Sequence, residues 1–231
     1  MSSTVIVVHP RGLRIPTALG DLGAFCAWAR SEEFPEGVRI DYLAGEVDID
    51  MSPEDVTTHG TPKAAIVAGL HLLVVDDLDL GLVLTDSTRL SSPDADLSAE
   101  PDVMVILYAS MRAGRARLVP RSEGGEGRYV EVEGAADLVV ECVSDASVAK
   151  DTRVLFGLYH RAGVPEYWIV DARAADPALA VHRWTATGYE RMATDAGGFT
   201  ASPLLGRAFR LLRRESHPGI AVYRLEARPS H

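Results

Sequence analysis

With 231 residues, 47% of them hydrophobic and 24% charged, the chain has an ordinary globular make-up and enough length to bury a sizeable core, read as one domain. Its formal charge of −10, from 33 acids against 23 lysines and arginines, argues against a protein that coats nucleic acid by bulk electrostatics. It does not exclude a nuclease, because metal ions bound to clustered carboxylates invert the local field.

The two cysteines, Cys26 and Cys142, provide neither a disulfide framework nor a thiolate zinc site and read as structural thiols. The longest apolar run, Ala64 to Val75, carries His71 and is too short to span a bilayer. The start, MSSTVIVVHPRG, lacks the basic and apolar regions of a signal peptide, so a soluble, cytoplasmic protein is expected. Arginines concentrate in Met111 to Arg121 and Arg207 to Arg214, which read as a solvated loop and a polar strand face.

In chain order, Pro16 to Arg30 predicts a short amphipathic helix carrying Leu19, Leu22, Phe25, Cys26 and Trp28. RIDYLAGEVDIDMSP then alternates as a hairpin turning at Ala44-Gly45, with Val47, Ile49 and Met51 on one face and Glu46, Asp48 and Asp50 on the other. Thr58 to Val75 predicts a helix capped by Thr57 or Thr58, with Pro62 in its first turn. Strands follow at Gly81 to Thr85 and Val103 to Leu107, separated by SSPDADLSAEPD, read as a polar loop.

Arg112 to Gly134 reads as an exposed excursion with one short strand at RYVEVEG. Leu138 to Val143 predicts a central strand. Val148 to Ala162 predicts a helix with Val154, Leu155, Leu158, Tyr159 and Ala162 as its apolar stripe, Ser147 as N-cap and Gly163 as stop. EYWIVDAR returns as a strand, so a right-handed βαβ crossover places it in one sheet with Leu138 to Val143. The remaining stretch, 178–212, has a Thr-Gly and a Gly-Gly turn and predicts antiparallel strands. The fold class is mixed α/β.

Within LVVECVSDASVAK, Glu141 stands in the body of an apolar strand, where an ionised carboxylate costs several kcal/mol unless compensated, on the order of 5 for an unpaired ion. Lys150, in the first turn of the next helix, is one candidate partner, although a surface pair of Lys150 with Asp151 is an alternative. Pro101 fixes Asp102 at the start of the strand VMVIL, where its side chain can point into a cleft at the sheet's end. An Asp opening one strand, a Glu within the next and a nearby Lys are the groups that hard-metal phosphodiester chemistry needs. Carboxylates hold Mg²⁺ or Mn²⁺, the ion acidifies a water, and the ammonium orients that water or neutralises developing charge.

The segments EPDVMVIL, DLVVECVSDASVAKDT and LYHRAGVPEYWIVDAR, with AGEVDIDMSP and His59 upstream, resemble the Uma2 family of the PD-(D/E)xK restriction-endonuclease-like superfamily. The resemblance runs from about Asp41 to Leu212, leaving 1–15 and 215–231 as peripheral extensions. It implies a restriction-endonuclease-like core, a mixed sheet flanked by helices, and a Mg²⁺-dependent nuclease. Asp102 matches the Asp of the PD element and Glu141 its second acid. The pattern's Lys, two residues after that acid, is here Val143; relatives place a lysine four residues after the Asp matching Asp151, which is here Leu155. Lys150 is the remaining lysine of the neighbourhood and takes the migrated role.

Glu46 matches a Glu in the family's GE segment and reads either as a third carboxylate of the site or as a solvated acid. His59, at a family-like position before a helix, reads as a phosphate contact or base, or as a structural histidine. His71 is given no role, and Tyr159, Tyr167 and Trp168 read as core packing. The expected mechanism has Asp102, Glu141 and the backbone carbonyl of Cys142 bind one Mg²⁺, with Lys150 positioning the attacking water and Glu46 holding a second ion or orienting the nucleophile. The expected substrate is nucleic acid, DNA first, and the expected assembly a homodimer. A non-catalytic interaction module retaining the nuclease fold is the alternative, and hydrolysis of a small nucleotide a third reading. The position of Lys150 relative to Asp102 and Glu141 discriminates between the first two.

Overall fold

The computed structural model describes residues 5–8, 12–121 and 127–230. The remaining residues, including the first four and the middle of the predicted 112–134 excursion, lie outside the described part. The chain opens with an antiparallel hairpin of β1 (Val5–Val8) and β2 (Leu13–Pro16), whose Leu13 and Ile15 alternate into a small core. Pro16 therefore ends a strand, and the helix predicted from it begins later as α1 (Leu22–Ala29), because Asp21 caps it by accepting from Ala24 N at 2.8 Å. Phe25 and Trp28 of α1 pack in that core on Ile40 and Tyr42 of β3 (Arg39–Leu43). The turn into β4 (Glu46–Asp50) holds Ala44 at φ 52° and Gly45 at φ 93°, the pair of positive angles that matches the twist of a tight hairpin. Val47 and Ile49 pack inward, as their alternation predicts.

The helix α2 (Thr61–His71) is extended at both ends by widened turns, Val56–Gly60 and Leu72–Asp77, so the helical stretch contains the predicted span. Its cap is Asp55 rather than either threonine, accepting from Thr57 N at 2.9 Å and Thr58 N at 2.7 Å. A carboxylate meets two orphan N–H groups at once, which a hydroxyl one turn later does not.

Five short strands follow: β5 (Gly81–Thr85), β6 (Arg89–Ser92), β7 (Leu97–Ala99), β8 (Val103–Leu107) and, after the turn-length helix α3 (Tyr108–Arg112), β9 (Ala116–Pro120). The polar loop predicted between the strands at 81 and 103 is thus corrected to a buried hairpin of β6 and β7. Ser91, Ser92 and Ser98 are buried there because the ladder satisfies the backbone and their hydroxyls find partners such as Arg89 and Glu131. The excursion likewise contributes β9 and β10 (Tyr129–Gly134), which pair with each other and, through β10, run parallel to β6.

The central strand β11 (Leu138–Cys142) leads into α4 (Leu155–Arg161), which continues a widened turn over Lys150–Val154, and then into β12 (Glu166–Asp171), parallel to β11 in full register. Leu155, Leu158 and Tyr159 are buried as predicted, whereas Val154 is exposed. Gly163 at φ 76° ends the helix. The antiparallel remainder is β13 (Ala178–Thr185), β14 (Gly188–Arg191), β15 (Thr200–Ser202), β16 (Arg207–His217) and β17 (Ile220–Pro229).

Two six-stranded sheets dominate, ordered β4-β3-β7-β6-β10-β9 and β14-β13-β12-β11-β8-β5. The second is a mixed sheet covered on both faces. Val103, Val105, Leu138, Val140 and Trp168 face α2 and the C-terminal hairpin, and Met104, Ile106, Val139 and Tyr167 face α4 and the first sheet. The hairpin β16–β17 reaches residue 229 and seats Leu225 directly on Gly69 of α2. Both thiols are free and buried, and no helix among the described residues is long and apolar enough to cross a membrane.

Candidate active site

The site begins with a register. β8 and β11 pair antiparallel as Val105 with Leu138, Met104 with Val139 and Val103 with Val140, so the next step sets Asp102 opposite Glu141. Alternation turns both carboxylates to the α4 side, with Met104 and Val139. The two strand ends are stitched reciprocally: Cys142 N donates to Asp102 Oδ2 at 2.8 Å, and Asp102 N donates to Glu141 Oε2 at 3.3 Å. Asp102 and Glu141 are only 2% and 1% exposed, so the pair must be compensated from within the protein.

Three groups do this. Arg39 of β3 reaches across with Nη1 to Asp102 Oδ1 at 3.2 Å and Nη2 to Glu141 Oε2 at 3.4 Å, and also donates to the Glu100 carbonyl. The Tyr159 hydroxyl of α4 donates to Glu141 Oε1 at 2.9 Å. His59, in the turn before α2, sets Nε2 3.2 Å from Asp102 Oδ2 and Nδ1 2.7 Å from Glu54 Oε1. Burial alone would raise Asp102, but His59 and Arg39 hold its carboxyl below the usual range. Burial and the neighbouring Asp102 charge push Glu141 well above it. Burial would lower His59, yet its hydrogen bond to Asp102 and the charges around it raise the imidazole to about 9.

Lys150 is not bonded to either central carboxylate. Its ammonium pairs with Asp41 Oδ2 at 3.0 Å and Asp48 Oδ2 at 2.9 Å, and Asp41 also accepts from Glu100 N at 3.0 Å and lies 3.6 Å from Arg39 Nε. Lys150 is therefore two residues removed from the pair, joined through Asp41 and then Arg39. Burial would depress it, but the Asp41 charge keeps it raised. The surface pair of Lys150 with Asp151 does not form: Asp151 is buried, accepts from the Ser147 hydroxyl, and is raised to about 6 chiefly by burial.

A cavity of about 430 Å³ gathers these groups. Asp102, Glu141, Cys142, Lys150, His59 and Arg39 line it, with Asp151, Asp50, Lys63 and Glu54. Glu46 does not: it is exposed at the turn end of β4, and the same strand face delivers Asp48 to Lys150 and Asp50 to the cavity wall. His71 is likewise exposed, on α2. Sequence reasoning missed Arg39, Asp41 and Lys63. The signal for the first two was present, since Arg39 and Asp41 alternate with Ile40 and Tyr42 on a strand whose apolar face is buried. Lys63 follows Pro62 on the buried side of α2 and pairs with Glu54 at 2.6 Å and Asp86 at 3.0 Å.

Among the described residues no group of three or more His, Cys, Asp or Glu side chains is arranged to hold a metal ion. The donor set nonetheless suits Mg²⁺, which takes one or two carboxylates and completes its shell with water, and whose hard oxygen preference both carboxylates meet. The Cys142 thiol is no donor, because burial and the adjoining acids push it well above its ordinary range and keep it protonated.

A crystal structure described as a putative nuclease belonging to DUF820 from Anabaena variabilis ATCC 29413 shares the fold, at a TM-score of 0.53 and 15% identity over 72% of this chain and 82% of that one. No curated protein matches the chain. The family Uma2, whose description is "Putative restriction endonuclease", matches residues 23–213. With its mixed sheet bringing Asp102 and Glu141 into one cleft, the chain belongs to the Uma2 family of nuclease-like proteins.

Proposed function

We propose that the chain hydrolyses phosphodiester bonds of nucleic acid, DNA in the first place, as a Mg²⁺-dependent endonuclease. The observation that carries this reading is the facing pair of buried carboxylates, Asp102 and Glu141, at the end of two adjacent strands and open to a cavity. Asp102, Glu141 and the Cys142 carbonyl would hold the ion, which when bound supplies an acidified water and a Lewis acid for the phosphoryl oxygens. Tyr159 and the Cys142 N–H orient the two carboxylates. Lys150, held by Asp41 and Asp48 in the wall of the same cavity, would orient water or neutralise charge on the transferring phosphoryl group. His59 and Lys63 add positive charge at the rim of a chain that is acidic overall. Cutting both strands of a duplex needs two such sites, and a homodimer supplies them.

A second reading is favoured by one observation. Arg39 already spans Asp102 and Glu141 and compensates them without an ion, which fits a non-catalytic module that keeps the fold. Cleavage of plasmid and oligonucleotide substrates with and without Mg²⁺ separates the two. Glu141→Gln should abolish cleavage while the protein stays folded, and full activity in that variant would end the nuclease reading.

A further inference from the structure

The catalytic cavity opens onto a second one. Gly37, Arg39 and Asp86 line both, and the second, of about 400 Å³, extends away from the carboxylates between the segment after α1 and strand β10. Glu131 of β10 stands in its wall, only 2% exposed. The Ser91 hydroxyl of β6 donates to its Oε1. Its other oxygen, Oε2, is buried and accepts no hydrogen bond from the described residues. Arg30 forms an ion pair with it, with Nε 3.7 Å away, too far for a hydrogen bond, and that N–H is spent on the Cys26 carbonyl at 2.9 Å. A buried acceptor without a donor is a standing penalty that a ligand's N–H removes on binding.

The other walls say what kind of ligand. Phe34 lines the cavity with the Arg89 guanidinium 5.1 Å from its ring centroid, and Arg30 and Arg121 are also in the lining. Flat aromatic and guanidinium groups receive a planar ring. Glu36, Asp86, Glu100 and Glu131 in the same lining balance its four arginines, so the cavity has no net positive charge to draw in a phosphate. A flat ligand that brings a hydrogen-bond donor to a carboxylate oxygen is a nucleobase with an exocyclic amino group. Thymine instead flanks its one N–H with two carbonyl oxygens that a carboxylate repels.

We propose that this second cavity receives an unpaired base beside the scissile phosphate, and that Glu131 Oε2 accepts from the amino group of adenine, cytosine or guanine. The proposal rests on the nucleic-acid reading above and deepens it. A concave cavity admits only a base swung out of a helix or already single-stranded, so the protein would select among loops, ends or flipped nucleotides.

The test needs no catalysis. In the Asp102→Asn plus Glu141→Gln background, which cuts nothing, fluorescence anisotropy would compare binding of labelled oligothymidylate with the same strand carrying one adenine, cytosine or guanine. The amino-bearing strands should bind about tenfold tighter, the size of a single good base contact. Glu131→Gln should then abolish the preference, because a neutral amide replaces the charged acceptor and can donate as well as accept, which suits all four bases. A merely structural Glu131 would not level the four strands. Near-UV circular dichroism checks that the variant is folded, and Phe34→Ala, which should weaken binding of all four strands alike, provides a second reading of the cavity. Equal binding of all four strands by the background protein, or an unchanged preference in Glu131→Gln, overturns the proposal while leaving the nuclease reading intact. Binding to none of them overturns both.

Discussion

The Tyr159 hydroxyl donates to Glu141 Oε1 at 2.9 Å, tying the helix α4 to the middle of the sheet through two fully buried side chains. Tyr159→Phe removes only that donor. It leaves Oε1 short of a partner and should cost about 1–3 kcal/mol by urea unfolding in EDTA. Without the hydrogen bond that favours its charged form, Glu141 should titrate higher still, so Mn²⁺ affinity should fall near neutrality and recover as pH rises. An affinity equal to wild type at all pH values would contradict the role given to this hydroxyl.

His59 provides a pH test in the metal-free protein. Its folded value is raised from 6.5 to about 9 by Asp102 and Glu54 against the opposing effect of burial. A raised value means that its contribution to stability is complete below pH 6.5 and is lost as pH climbs through 9. The difference in unfolding free energy between wild type and His59→Gln should therefore shrink across that window. A difference that stays constant from acid to alkali would show that the ion pair with Asp102 does not form.

Asp41 and Asp48 share Lys150 but not its environment. Asp41 is wholly buried and also receives Glu100 N, while the Asp48 side chain is 42% exposed. Asp41→Asn breaks a buried charged network and should destabilise by about 3 kcal/mol. Asp48→Asn should stay within about 1 kcal/mol. Comparable losses in the two variants would mean that Lys150 is held from the solvent side.

Gly69 is required by contact rather than by backbone angle. A Cβ there would lie 2.8 Å from Leu225 Cβ, so Gly69→Ala should loosen the packing of β17 on α2 and cost about 1–3 kcal/mol despite the better helix propensity of alanine. Adding Leu225→Ala removes the Cδ2 and Cγ that would lie 2.9 and 3.2 Å from that Cβ, and should return part of the loss, measured in a double-mutant cycle as a combined destabilisation smaller than the sum of the two.

Much of this was legible in the chain. The periodicities of 138–143, 148–162 and 166–173 specify the βαβ unit, and Pro101 marks where β8 begins, which is why Asp102 and Glu141 stand out in the sequence. What escaped was set by pairing across large sequence distances. Arg39 lies 63 residues from Asp102, and no local pattern says that a hairpin arginine will bridge two later strands. The same holds for Lys150, whose helix position is readable but whose carboxylate partners come from a hairpin 102 and 109 residues earlier. The serine-rich 91–102 stretch read as loop because its few core residues, Ala95, Leu97 and Ala99, are interspersed with serines that are themselves buried through hydroxyl hydrogen bonds. Glu46 and Asp50 share one strand face, and only the length of the β3–β4 hairpin decides which of them reaches the cavity.

The proposed function requires that Asp102 and Glu141 form a divalent-cation site. Calorimetric titration of Mn²⁺ into the wild-type protein tests it without any guess about substrate, with Asp102→Asn plus Glu141→Gln as the paired control. Saturable binding by the wild type that disappears in the folded double variant is the predicted result. Identical titrations for the two proteins would contradict it and leave Arg39 as the cation for which the two carboxylates were built.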